Sequence, residues 1–224
     1  MASNKKIERA KNGPGLFEIT FGVLLSIILG VLLAAVHLAL KPVTKVTKQS
    51  DATDTGVVYF VEGASSSSKS SQWKRKRQML TDGGSVDVSF TEEELNAWMA
   101  NVAPKPKQGA AAASTAVLTP EHINFRIQSG VMQVGVLGKL SAFGFDMDMV
   151  VQARGKFVPG PDGFDFEADE FYIGSLPVHA VPRLTPLVIK KVLAAQEFPE
   201  DLKTTWKQLK LVAVEDNSLH LTLP

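Results

Sequence analysis

Apolar side chains fill every position from Phe21 to Leu40 except Ser26 and His37, apart from Gly22 and Gly30, and no formal charge interrupts the twenty residues. As a helix rising about 1.5 Å per residue, the run spans about 30 Å, the hydrocarbon thickness of a bilayer. It predicts a membrane anchor, 21–40, behind a short tail, 1–20. A cleaved leader is the rival reading, since Lys5, Lys6, Arg9 and Lys11 form a basic front. The apolar run is longer than a leader's, however, and no A-x-A site closes it.

Behind the anchor the period changes. Residues 56–62 are rich in β-branched and aromatic side chains and predict a short strand, and Trp73 to Leu80 predicts a helix stopped by Asp82-Gly83-Gly84. Val86, Val88 and Phe90 alternate as a half-buried strand does. Thr91 as N-cap, Glu94 three residues on, and the flanking pair Phe90 and Leu95 give a capping box with its hydrophobic staple. The helix that follows repeats Leu95, Trp98, Met99 and Val102 on one stripe. Residues 103–116, with two prolines and an Ala-rich tract, break the pattern and predict a loop inside the domain.

From Ile123 to Ile173 four alternating runs are joined by glycine-bearing turns, so they must pair antiparallel. A helix over 184–195, with Leu187, Val188, Val192 and Ala195 inward, covers the apolar face. A shorter helix and a closing hairpin around Glu215-Asp216-Asn217 complete the chain. The fold class is α+β: an N-terminal transmembrane helix, then one domain with a meandering antiparallel sheet covered by helices.

Charge changes the picture in one respect. Residues 41–81 hold eight basic and three acidic side chains, a net +5, whereas 82–224 hold twelve and eighteen, a net −6. The division reads as a basic neck, 41–84, ahead of an acidic domain, 85–224. In the neck, Trp73, Lys74, Arg75, Lys76 and Arg77 are candidate contacts to anionic headgroups. A nucleic-acid partner is not expected from four charges without a reader fold.

On the anchor, Gly22, Ser26, Gly30 and Ala34 recur every fourth residue and line one face, a candidate contact for a second copy or a partner helix. In the sheet, Phe143, Phe145, Met147 and Met149 form a stripe that is either core or the wall of an apolar ligand site. Asp165, Glu167 and Asp169, with Asp146 and Asp148, could gather around a divalent cation, but read more simply as the wet side of a sheet. The four histidines have no paired-ligand spacing, and no phosphate loop or nucleophile elbow appears, so neither cofactor nor enzymatic activity is expected.

Phe90-Thr91-Glu92-Glu93-Glu94-Leu95-Asn96-Ala97, Ile173-Gly174-Ser175-Leu176-Pro177-Val178 and Leu219-His220-Leu221-Thr222-Leu223 resemble, in order and spacing, the YpmS-like family of bacterial single-pass membrane proteins. The resemblance implies an anchor, one extracytoplasmic α+β domain and no established activity. The serine tract Ser65 to Ser68, the basic run and the Ala-rich loop depart from it. The expectation is a cell-envelope scaffold or accessory module with its N-terminus in the cytoplasm and its domain outside. The alternative is a tethered binder of a lipid or other apolar ligand.

Overall fold

A computed structural model describes residues 13–48, 54, 57–65, 72–102, 105–106, 116–142, 144–181, 183–194, 196–197 and 199–224. Outside them fall most of the N-terminal tail, most of the serine tract, nearly all of the predicted loop 103–116, Phe143 and Ala195. The chain divides into two units, residues 1–40 and 41–224.

Among its described residues the first unit holds one helix, α1 (Leu16–Leu40), none of whose residues is buried. It starts five residues before the predicted anchor, because Leu16 to Thr20 continue the helix up to the stop at Pro14-Gly15. Glu18 lies in its first turn, where the positive end of the helix dipole favours a carboxylate, and Gly15 N donates to Glu18 Oε2 at 3.1 Å. Ser26 Oγ donates to Gly22 O at 2.8 Å and Thr20 Oγ1 to Leu16 O at 2.9 Å. Both hydroxyls are satisfied within the helix, which lowers their cost in an apolar medium. At 25 residues α1 is long and apolar enough to cross a membrane.

The second unit contains β1 (Thr44–Val46), β2 (Tyr59–Val61), α2 (Gln72–Thr81), β3 (Asp87–Thr91), α3 (Glu92–Val102), β4 (Lys105–Pro106), β5 (Ala116–Gln128), β6 (Val131–Ala142), β7 (Phe145–Gly160), β8 (Gly163–Ile173), β9 (Leu176–Pro177), α4 (Leu184–Ala194), β10 (Gln196–Glu197), α5 (Glu200–Gln208), β11 (Leu211–Glu215) and β12 (Ser218–Thr222). Its main sheet has the order β5-β6-β7-β8-β9, antiparallel throughout, and α+β describes the fold. Val134 pairs with Phe125 and Ala153, and Val136 with Ile123 and Val151, which brings the predicted apolar faces into one layer. Ser129 and Gly130 close the β5–β6 hairpin with φ of 54° and 73°, values that a two-residue turn matching strand twist requires. Strand β5 begins at Ala116, seven residues before the predicted start, and a register shift between Pro120 and His122 masked its alternation.

A three-stranded sheet of order β11-β12-β3 packs with α2, α3 and α5 over one end of this layer. Its centre is aromatic: Trp73 stacks on Trp98 with centroids 6.2 Å apart, and Phe90 lies 5.3 Å from Trp98. The other end, with Met149, Val151, Phe171 and Val178 buried, is covered by Val188 and Ile189 of α4. Leu187 was expected inward, but it is 54% exposed, because Thr185, Val188 and Ile189 take the inner side of that helix.

The neck is no separate segment. Phe60, Val61, Trp73 and Leu80 are all buried, and the compact unit begins at Lys41. Within residues 41–84 a short parallel pair forms, β1 with β2.

Candidate functional site

Buried polar side chains are where chemistry would be sought, and three of them, Asn96, Asn124 and Gln152, converge on one segment. Residues 59–64 run across the face of the main sheet opposite to Val134 and Val136. Gln152 Nε2 donates to Tyr59 O at 3.1 Å and Gln133 Nε2 to Val61 O at 3.2 Å. Gly63 N donates to Asn124 Oδ1 at 2.7 Å, and Asn96 Nδ2 to Ala64 O at 2.9 Å. Between these amides Phe60 is fully buried over Gly135, where a Cβ would stand 2.1 Å from its Cε2. The segment is a strap, tied on mostly by side-chain amides rather than by a ladder.

Helix α3 closes the strap's far end and the edge of β5 together. Asn96 accepts from Phe125 N at 2.6 Å and donates to Phe125 O at 2.9 Å, while Glu92, one turn earlier, accepts from Ile127 N at 2.7 Å and from Ala64 N. An edge strand's unpaired groups invite association with other chains, and these two side chains occupy them. Glu94 is fully buried; it closes the capping box through Thr91 N at 2.9 Å and accepts from Lys76 Nζ at 2.7 Å. Beyond the capping box, Glu92 and Glu94 thus have partners that lie too far along the chain to be seen locally.

The basic run is accordingly reassigned. Trp73 is 4% exposed and packs in the core, so it is not a headgroup contact. Lys76 is taken up by Glu94 and Ser89 O, and Arg77 Nη2 meets Asp201 Oδ2 at 2.5 Å, holding that carboxyl below the usual carboxylate range. Only Lys74 and Arg75 of the five are exposed. Of the apolar stripe, Met149 belongs to the packed cluster and Met147 is half-buried; Phe143 lies outside the described residues, and no side-chain placement is described for Phe145. Gly22, Ser26, Gly30 and Ala34 all lie exposed along α1.

The acidic residues do not gather. Asp146 and Asp148 pair with Ser141 and Lys139 on β6, whereas Asp165 and Glu167 pair with Val158 and Lys156 at the other end of β7. Among the described residues no group of three or more His, Asp or Glu could hold a metal ion. His179 Nδ1 lies 3.1 Å from Phe171 O, and its ring meets Tyr172 edge-on at 4.9 Å; burial, then the Glu170 charge, push the Tyr172 hydroxyl above its ordinary value.

Compared with family models, with curated proteins and with solved structures, the chain finds no match.

Proposed function

We propose that the chain is a single-pass, membrane-anchored and non-catalytic module that presents its α+β domain on the outer side of a cell membrane, as a scaffold or accessory subunit for other proteins. The observation that carries this reading is α1: its large apolar side chains, from Leu16 to Val36, lie uncovered, which water does not tolerate and a bilayer does. The domain adds support from the other side, since its buried amides and half-buried Glu92 hold the strap and the edge of β5, and buried Glu94 is taken by Thr91 N and Lys76. Met149 within a packed cluster favours the scaffold over an apolar ligand site. The orientation rests on the length of the tail behind the anchor, because long domains translocate largely regardless of charge. The YpmS-like resemblance is in keeping with the same architecture.

Native mass spectrometry of the full chain, extracted gently in detergent, tests it. The expected species retains residues 1–40 and holds a protein partner or a second copy in fixed ratio. A mature form lacking those residues would remove the anchor, and a lone chain carrying one tightly bound lipid would replace the scaffold with the ligand binder.

A further inference from the structure

The domain is acidic, yet from Phe171 to Ala195 it has no aspartate or glutamate, while Arg183, Lys190 and Lys191 fall in that stretch. In the structure this stretch also carries exposed apolar side chains: Val181 is 52% exposed, Leu184 37% and Leu187 54%. Helix α4 cannot turn Leu187 inward, because Thr185, Val188 and Ile189 already hold its inner side against the domain. Leucines flanked by positive charge and free of negative charge are the composition of a helix that lies on an anionic bilayer.

Ser175 Oγ, in the turn between β8 and β9, donates to Lys41 O at 3.5 Å. Lys41 follows Leu40, the last residue of α1, by a single peptide bond. If α1 spans the bilayer, Lys41 stands where the chain leaves the hydrocarbon, and the β8–β9 turn stands beside it. The chain runs from that turn to Val181 in six residues. Glu170, the acid nearest before the stretch, lies 4.0 Å from Arg154.

We infer that the turn at Val181 to Arg183 and the outer face of α4 dock on the anionic headgroups of the bilayer that holds α1. This rests on the anchor reading above. Docking would fix the domain's tilt on the membrane and so decide which of its surfaces faces outward.

The chain has no cysteine, so Leu187→Cys supplies a single thiol at an exposed site. The full-length variant, labelled with an environment-sensitive fluorophore, is reconstituted into vesicles of phosphatidylcholine with or without phosphatidylglycerol. Asp162→Cys, in the turn at the other end of β8, is the control. The expected result, with phosphatidylglycerol only, is a blue-shifted emission at position 187 and slower quenching from the aqueous phase than at position 162. Lys190→Gln removes one charge and should lower the docked-to-free ratio about fivefold. A label at 187 as quenchable as the control in vesicles that carry the protein overturns the docking and leaves the anchor intact. Equal shielding in both lipid mixtures, or in detergent, overturns it too, since then a second copy or simple apolar contact covers the face. A chain that does not float with vesicles removes the anchor reading and the docking with it.

Discussion

Gly135 and Phe60 lie 75 positions apart in sequence and occupy one volume. A methyl group at position 135 would stand 2.1 Å from Cε2 and 2.5 Å from Cζ of Phe60, and the ring is fully buried with the strap's amide bonds on either side. The ring can give way only by moving the strap. Gly135→Ala should therefore cost about 1–3 kcal/mol, the usual range for overpacking, as read from urea unfolding. Phe60→Ala alone should cost about 3–5 kcal/mol through the cavity it leaves. The two together should cost clearly less than their sum, because the smaller residue at 60 vacates the space that alanine at 135 needs. Strict additivity would mean that the ring does not rest on Gly135.

At the scale of elements, what the sequence shows is what neighbours determine. The capping box at Thr91 and Glu94 and the alternation in β6 and β8 depend on residues within a few positions, and the structure forms them where the pattern puts them. Helix α3 also has a role no local pattern holds. Its Glu92 and Asn96, four apart and on one side, bond Phe125 and Ile127, about thirty positions further along the chain. An asparagine inside a helix has no sequence signal for an edge strand 29 positions later. The same is true of β3, whose partner β12 is the second strand of the closing hairpin, and of the strap, whose partners are polar residues on a face taken to be wet. Asn96→Ala would leave Phe125 N, Phe125 O and Ala64 O without this partner, and each unmet buried group costs about 1–3 kcal/mol. The expected outcome is a lower unfolding midpoint in urea together with faster hydrogen exchange at the Phe125 amide. An unchanged exchange rate there would show that the helix does not guard the edge.

For the whole molecule, the contrast of residues 41–81 at +5 with residues 82–224 at −6 suggested two bodies, and the structure makes it the complementarity within one. Lys76 of the neck meets Glu94, and Arg77 meets Asp201, so the charges that divide the sequence pair across the division. Apolar packing follows the same line, since Phe60, Val61, Trp73 and Leu80 precede residue 85 and are all buried in the unit that starts at Lys41. Full burial of a large apolar side chain contributes about 1.5–3 kcal/mol, so losing four removes an amount comparable to the about 5–15 kcal/mol by which a domain is stable. A fragment of residues 41–224 should therefore melt cooperatively in plain buffer, without detergent, with the sheet signal of the full chain in circular dichroism. A fragment of residues 85–224, cut where composition changes, should show no cooperative transition and should bind a hydrophobic dye. Its lost strap leaves Gln133, Gln152 and Asn124 facing an empty sheet, so adding 41–84 as a separate peptide should restore part of the transition. If 85–224 melts at the same temperature as 41–224, the neck is an attachment to the domain rather than part of its core.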